Sequence, residues 1–120
     1  TVATTGKLTY PVNGKIIREY VKGKTEGIDL SAPAGSTIVA AETGTVAAIT
    51  ADVDQVPIVV IKHANELLTV YANVGNISVS KGAKVSRGQA IGKIPPSNPT
   101  YLHFEVRQGL DSVDPLDYLQ

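Results

Sequence analysis

From residue 101 to 107 the chain alternates without a break. Leu102, Phe104 and Val106 fall on one face of an extended segment, and Tyr101, His103, Glu105 and Arg107 on the other. The first face predicts core, and the second predicts a border with water or with a groove. Ile58, Val59, Val60 and Ile61 lack any polar alternation, which predicts a central strand covered on both faces. Elsewhere, short runs rich in Val, Ile and Thr lie between Gly and Pro residues, the pattern of many short strands joined by turns. Strands are expected at 8–10, 15–20, 37–41, 45–51, 57–63, 67–72, 90–94 and 101–107, and a helical turn only at 115–119. The expected fold is mostly β: a compact antiparallel, barrel-like sheet with short loops and at most that C-terminal helical turn.

Composition narrows the classes. A chain of 120 residues, 42% hydrophobic and 18% charged, suits one globular domain that buries its own core. Residues 1–6 are small and polar, carry no signal-peptide pattern and read as the flexible tail of an excised fragment; residues 7–120 read as the domain. Eleven Lys and Arg balance eleven Asp and Glu, so no net field draws nucleic acid. The longest aliphatic run, 58–61, is far short of the roughly 20 residues of a membrane helix, so no membrane insertion by this domain is expected. The absence of cysteine removes disulfides, thiolate metal sites and thiol nucleophiles. Asp52-Val53-Asp54 lacks the remaining ligands and the turn glycine of a calcium loop and reads as a solvated turn.

Three stretches concentrate chemistry: Thr25-Glu26-Gly27-Ile28-Asp29, Tyr71-Ala72-Asn73 and Tyr101-Leu102-His103-Phe104-Glu105. They stand among Pro11-Val12-Asn13-Gly14, Gly27-Ile28-Asp29-Leu30, Ala32-Pro33-Ala34-Gly35, Val39-Ala40-Ala41, Gly44-Thr45-Val46 and Leu102-His103-Phe104-Glu105-Val106-Arg107. In this order the motifs resemble the LytM or lysostaphin-type zinc endopeptidase domain over about residues 8–119. In that family a His four residues before an Asp, the Asp itself and the last His of a His-x-His strand hold zinc. Those positions are Thr25, Asp29 and His103 here. The proton-moving first His of the pair is replaced by Tyr101, and the catalytic His that follows a Tyr-x pair is replaced by Asn73.

The resemblance thus implies a degenerate, catalytically inactive domain with no cofactor. A catalytic zinc takes three protein ligands and an open water position, whereas Asp29 and His103 are two. A tyrosine phenol does not exchange protons near neutral pH as imidazole does. Glu26 is the nearest substitute carboxylate, but neighbours on an extended segment point oppositely, which makes its reach toward Asp29 poor. Plain structural roles compete at each position. Asp29 suits a turn before Leu30, His103 a strand histidine beside Asp29 or Glu105, Asn73 a satisfied amide near a strand end, and His63 the end of a buried strand at a hairpin. Pro95-Pro96-Ser97-Asn98-Pro99 replaces the glycine-rich loop of active relatives and stiffens that rim.

A biotinyl or lipoyl carrier is a rival, since Gly82-Ala83-Lys84-Val85 and Gly88-Gln89-Ala90-Ile91 suit its flattened barrel; the turn Ala41-Glu42-Thr43-Gly44 lacks the lysine that a carrier modifies. Degenerate domains of the resembled family commonly regulate cell-wall amidases. The expectation is a periplasmic regulator that binds and activates an amidase during septal wall splitting. Its partner-binding groove comprises Thr25, Asp29, Asn73, Tyr101 and His103. The alternative is a peptidoglycan-binding module without hydrolase activity.

Overall fold

The computed structural model describes residues 8–51, 53, 55–96 and 100–119. The expected tail at residues 1–6 lies outside them, as do Asp52 and Asp54 of the acidic turn and residues 97–99 of the proline-rich rim. Among the described residues ten strands form: β1 (Lys15–Arg18), β2 (Ile28–Ser31), β3 (Thr37–Val39), β4 (Gly44–Ala51), β5 (Pro57–Lys62), β6 (Leu67–Ala72), β7 (Lys84–Val85), β8 (Ala90–Lys93), β9 (Tyr101–Gln108) and β10 (Asp111–Val113). The main sheet runs β1-β2-β9-β6-β5-β4-β7, with β10 also paired to β9, and β3 and β8 make a separate two-stranded sheet. Every strand pairing is antiparallel.

The alternation of β9 is realised: Leu102, Phe104 and Val106 are fully buried. They join Ile28 and Leu30 from β2 and Val59 and Ile61 from β5 in one core, to which the small sheet contributes Ile38 and Ile91. The Tyr71 and Phe104 rings meet in a tilted pair with centroids 5.4 Å apart. Tyr71 takes its hydroxyl into the core, where a directional chain satisfies it. Ala41 N–H donates to the hydroxyl oxygen at 3.0 Å, and that hydroxyl lies 2.7 Å from Thr69 Oγ1. Thr69 in turn lies 2.8 Å from His63 Nε2, while His63 Nδ1 faces the Thr43 carbonyl at 2.9 Å. A carbonyl only accepts, so Nδ1 carries the proton, Nε2 accepts from Thr69, and Thr69 accepts from Tyr71.

The other face of the main sheet is open. Cα partners share a face, so Tyr101, His103, Glu105 and Arg107 of β9 stand in a row beside Ala72, Val70 and Leu68 of β6. Ile58 and Val60 of β5 continue that apolar row. These side chains are half-buried. β5 is therefore central in the sheet but covered fully on one face only, unlike the two-sided burial its unbroken apolar run predicts.

Several boundaries also differ from expectation. Residues 8–10 form an isolated parallel bridge, Leu8 to Leu119, rather than a strand. The first long strand stops at Arg18, after a register shift between Ile16 and Arg18. β2, β7 and β10 are short strands outside the expected set; β2 alternates buried Ile28 and Leu30 with half-buried Asp29 and Ser31. Asp29 consequently lies on a strand and not in a turn. The expected C-terminal turn is a 3-10 helix at Pro115–Asp117, where Asp114 accepts from Leu116 N–H, and a second 3-10 turn occupies Ala64–Glu66.

Candidate functional site

The pairing of β2 with β9 sets Asp29 directly opposite His103. Gly27 lets the chain enter that pairing, since a side chain there would put Cβ 2.2 Å from the Phe104 carbonyl oxygen. His103 Nδ1 lies 2.6 Å from Asp29 Oδ1, and Nε2 lies 2.8 Å from Glu105 Oε2. Arg107 donates to Glu105 Oε1 through Nε at 3.1 Å and Nη2 at 2.8 Å, and to Glu26 Oε1 at 2.7 Å. The result is a ladder of alternating charge, Asp29–His103–Glu105–Arg107–Glu26, along the open face.

Burial alone lowers the His103 pKa, but hydrogen bonds to Asp29 and Glu105, reinforced by their charges, outweigh it and raise the value to about 9. Both ring nitrogens therefore carry protons at neutral pH and donate to the two carboxylates. Burial pushes Glu105 upward, yet its bonds to His103 and Arg107 hold it below the ordinary carboxylate range. His63 goes the other way, lowered chiefly by burial.

Thr25 is committed to its own loop: Val21 N–H donates to its hydroxyl at 2.6 Å, and the hydroxyl donates to the Glu19 carbonyl at 3.1 Å. Asn73 adopts a φ of 75° at the end of β6, a conformation asparagine tolerates, and its Nδ2 donates to the Tyr101 carbonyl at 2.8 Å. It pins the start of β9. Tyr101 is half-exposed and stands opposite Ser31.

Thr25, Asp29 and His103 converge on a depression of about 200 Å³ whose rim includes Arg18 and Lys24; Asn73 and Tyr101 do not line it. Of two larger hollows, one of about 550 Å³ beside Tyr10, Val12 and Lys15 lies away from the charged ladder, and one of about 470 Å³ beside Tyr20, Lys22 and Asp111 shares Lys24, Thr25 and Glu26 with the depression but not Asp29 or His103. The smaller depression is where the chemistry gathers, so it defines the site. Sequence reasoning placed Glu105 only as a neighbour of His103 and did not find Arg18, Arg107 or the apolar row. The period-two pattern put Arg107 on the open face, but only the fold brings Glu26 and Arg18 to it.

Residues 23–115 match the model of peptidase family M23. The chain belongs to peptidase family M23. It is similar to the uncharacterized lipoprotein YgeR of Escherichia coli (strain K12), with 34% identity over 115 residues, 92% of this chain and 46% of that protein. It is also similar to the murein hydrolase activator NlpD of the same organism, at 33% identity over 115 residues, 92% of this chain and 30% of that protein. The chain thus spans less than half the length of these curated relatives. Among solved structures, Helicobacter pylori Csd3 superposes with a TM-score of 0.86 at 29% identity, covering 97% of this chain and 35% of that one.

Membership in an M23 peptidase family implies a zinc ion, and the donors here do not fit one. A zinc-binding imidazole must offer an unprotonated nitrogen, whereas both nitrogens of His103 are held as donors by carboxylates. Asp29 accepts from that ring, and the Thr25 hydroxyl is consumed within its loop. Among the described residues no group of three or more His, Cys, Asp or Glu side chains is placed to hold a metal. This is a degenerate M23 domain, in which Asp29 and His103 bind each other within an ion-pair ladder.

Proposed function

We propose that this domain regulates peptidoglycan hydrolysis without cutting the wall: its open face receives a cell-wall amidase and relieves that enzyme's autoinhibition. The observation that carries the reading is the state of the old active site. Asp29 and His103 bind each other instead of a metal, yet the face around them remains open, with Tyr101 and a half-buried apolar row available for contact. A cleft of this kind, part apolar and part charged, suits an amphipathic segment of a protein. Similarity to a murein hydrolase activator supports the same reading, and similarity to a lipoprotein supports a place in the cell envelope, which we take to be the periplasm at the septal wall.

Thr25, Asp29, Asn73, Tyr101 and His103 then have divided tasks. Tyr101 contacts the partner, Asp29 and His103 fix the charged floor, and Thr25 and Asn73 hold the rims in place. Dye release from labelled peptidoglycan tests the proposal with the domain alone, a purified amidase alone, and both together. Release above the amidase-only level in the mixture, with none from the domain alone, is the expected result. No gain with any amidase tested, or metal-dependent release by the domain itself, sinks the reading.

A further inference from the structure

The charges around the depression do not all find partners. Asp29 and Glu105 are engaged by His103, and Glu105 and Glu26 by Arg107. Arg18, paired across from Asp29 at the end of β1, and Lys24, in the loop from β1 to β2, line the same depression and are exposed. Among the described residues neither forms an ion pair. Three carboxylates, Asp29, Glu105 and Glu26, stand against His103 and Arg107 in the ladder, and the exposed Arg18 and Lys24 turn the balance around the depression to a net positive charge.

We infer that the depression is a carboxylate seat, in which Arg18 and Lys24 receive an acidic side chain from a segment of the protein partner. The inference rests on the regulator reading and adds the partner's chemistry. A guanidinium presents paired donors that match the two oxygens of a carboxylate, and the ammonium of Lys24 adds a mobile second charge. The Thr25 hydroxyl gives its one proton to the Glu19 carbonyl and leaves donation to a carboxylate to these two cations. A peptidoglycan stem peptide also carries carboxylates. The row of Leu68, Val70, Val60 and Ile58, however, gains most from apolar side chains, which a protein segment supplies and a glycan strand does not. The occupant is thus a segment that combines apolar residues with at least one Asp or Glu.

Hexaglutamate and hexaglutamine peptides, titrated separately into the isotope-labelled domain, test the seat directly. Hexaglutamate should shift the amide signals of residues 24–29 and 103, and the double variant Arg18→Glu/Lys24→Glu should abolish the response. Equal shifts with hexaglutamine, or none with either peptide, overturn the seat. With an amidase that the domain activates, the double variant should bind about 30-fold or more weakly at low salt, because reversed charges repel the partner's acid. Arg18→Gln/Lys24→Gln, which removes charge without reversing it, should lose about fivefold. Full amidase binding by both double variants, with Tyr101→Ala still impaired, overturns the seat and leaves the regulator reading standing. Full binding by all three removes the face from both. Weakened binding to isolated peptidoglycan, with amidase binding unchanged, assigns the cations to wall carboxylates and overturns the protein-segment inference.

Discussion

Asp29→Asn tests the charged ladder at its first rung. In the folded domain His103 titrates at about 9, against an ordinary 6.5. At 1.36 kcal/mol per pKa unit, that gap corresponds to about 3 kcal/mol, shared among His103, Asp29 and Glu105 and belonging to none of them singly. Because the folded pKa is raised, this stability is fully present below pH 6.5 and is lost as pH rises through 9. The substituted amide keeps the shape of the carboxylate but removes its charge, and an opposite charge at such distance moves a pKa by about one unit or more. At pH 7 the variant should lose about 1 kcal/mol, or about 0.5 M in urea midpoint for a slope near 2 kcal/mol/M. Its alkaline loss of stability should begin at a correspondingly lower pH.

Imidazole proton signals read the effect site by site, since the chain has two histidines and they shift in opposite directions. His63, with a lowered folded pKa, contributes stability above pH 6.5 that is lost as pH falls through its folded value. It serves as the internal control and should not respond to Asp29→Asn. Titration of wild-type His103 near 6.5, or an unmoved His103 in the variant, would refute the clamp and return a free ring nitrogen to the metal question.

Tyr101→Ala should leave the melting temperature unchanged but weaken amidase binding by about 1–3 kcal/mol, as for an interface anchor, with dye-release activation falling in parallel. Leu102→Ala, one residue away on the fully buried face, should instead cost about 2–5 kcal/mol of stability in denaturant melts, because it leaves a core cavity. Tyr71→Phe leaves Ala41 N–H without its acceptor in a buried site and should destabilise by about 1–3 kcal/mol, seen as a lower thermal midpoint. The triple variant Thr25→His/Asn73→His/Tyr101→His should release no dye with added zinc, because His103 stays clamped and the Asn73 bond to the Tyr101 carbonyl is lost; turnover by Thr25→His alone contradicts this account.

Much of the fold was legible because burial imposes period two on long strands. β9 and its inward Leu102, Phe104 and Val106 follow from the pattern, and so does the turn at Pro115. β2 and β10 did not follow: the alternation of β2 is only four residues long and reads as a turn around Asp29, and β10 is defined by its pairing with β9. The unbroken run 58–61 overstated its cover: half-buried Ile58 and Val60 border the open face, and hydrophobicity alone does not say whether another layer lies above them. At the site, motif order singled out Asp29 and His103, and the reading of the histidine as a neighbour of Asp29 or Glu105 matches the fold, where it touches both. Arg18 escaped notice because only the pairing of β1 with β2 sets it across from Asp29, and Glu26 reads as a substitute ligand near Asp29 and not as a partner of Arg107, 81 residues away. Glu26 finds Arg107 rather than Asp29, in keeping with its position two residues before the strand.

The place of β9 in the sheet also sets the order in which this site comes into being. The strand lies between β2 and β6, although synthesis delivers it after every other strand except β10. Asp29 must wait for a partner 74 residues further along the chain, and among the described residues β9 is what joins β1 and β2 to the rest of the main sheet. Pairings of such separation make folding slow compared with a chain of local hairpins. Until residues 101–108 have docked, the halves of the open face belong to separate pieces of chain. The face proposed to receive a partner is therefore a property of the finished domain, and a chain that ends before β9 does not assemble it.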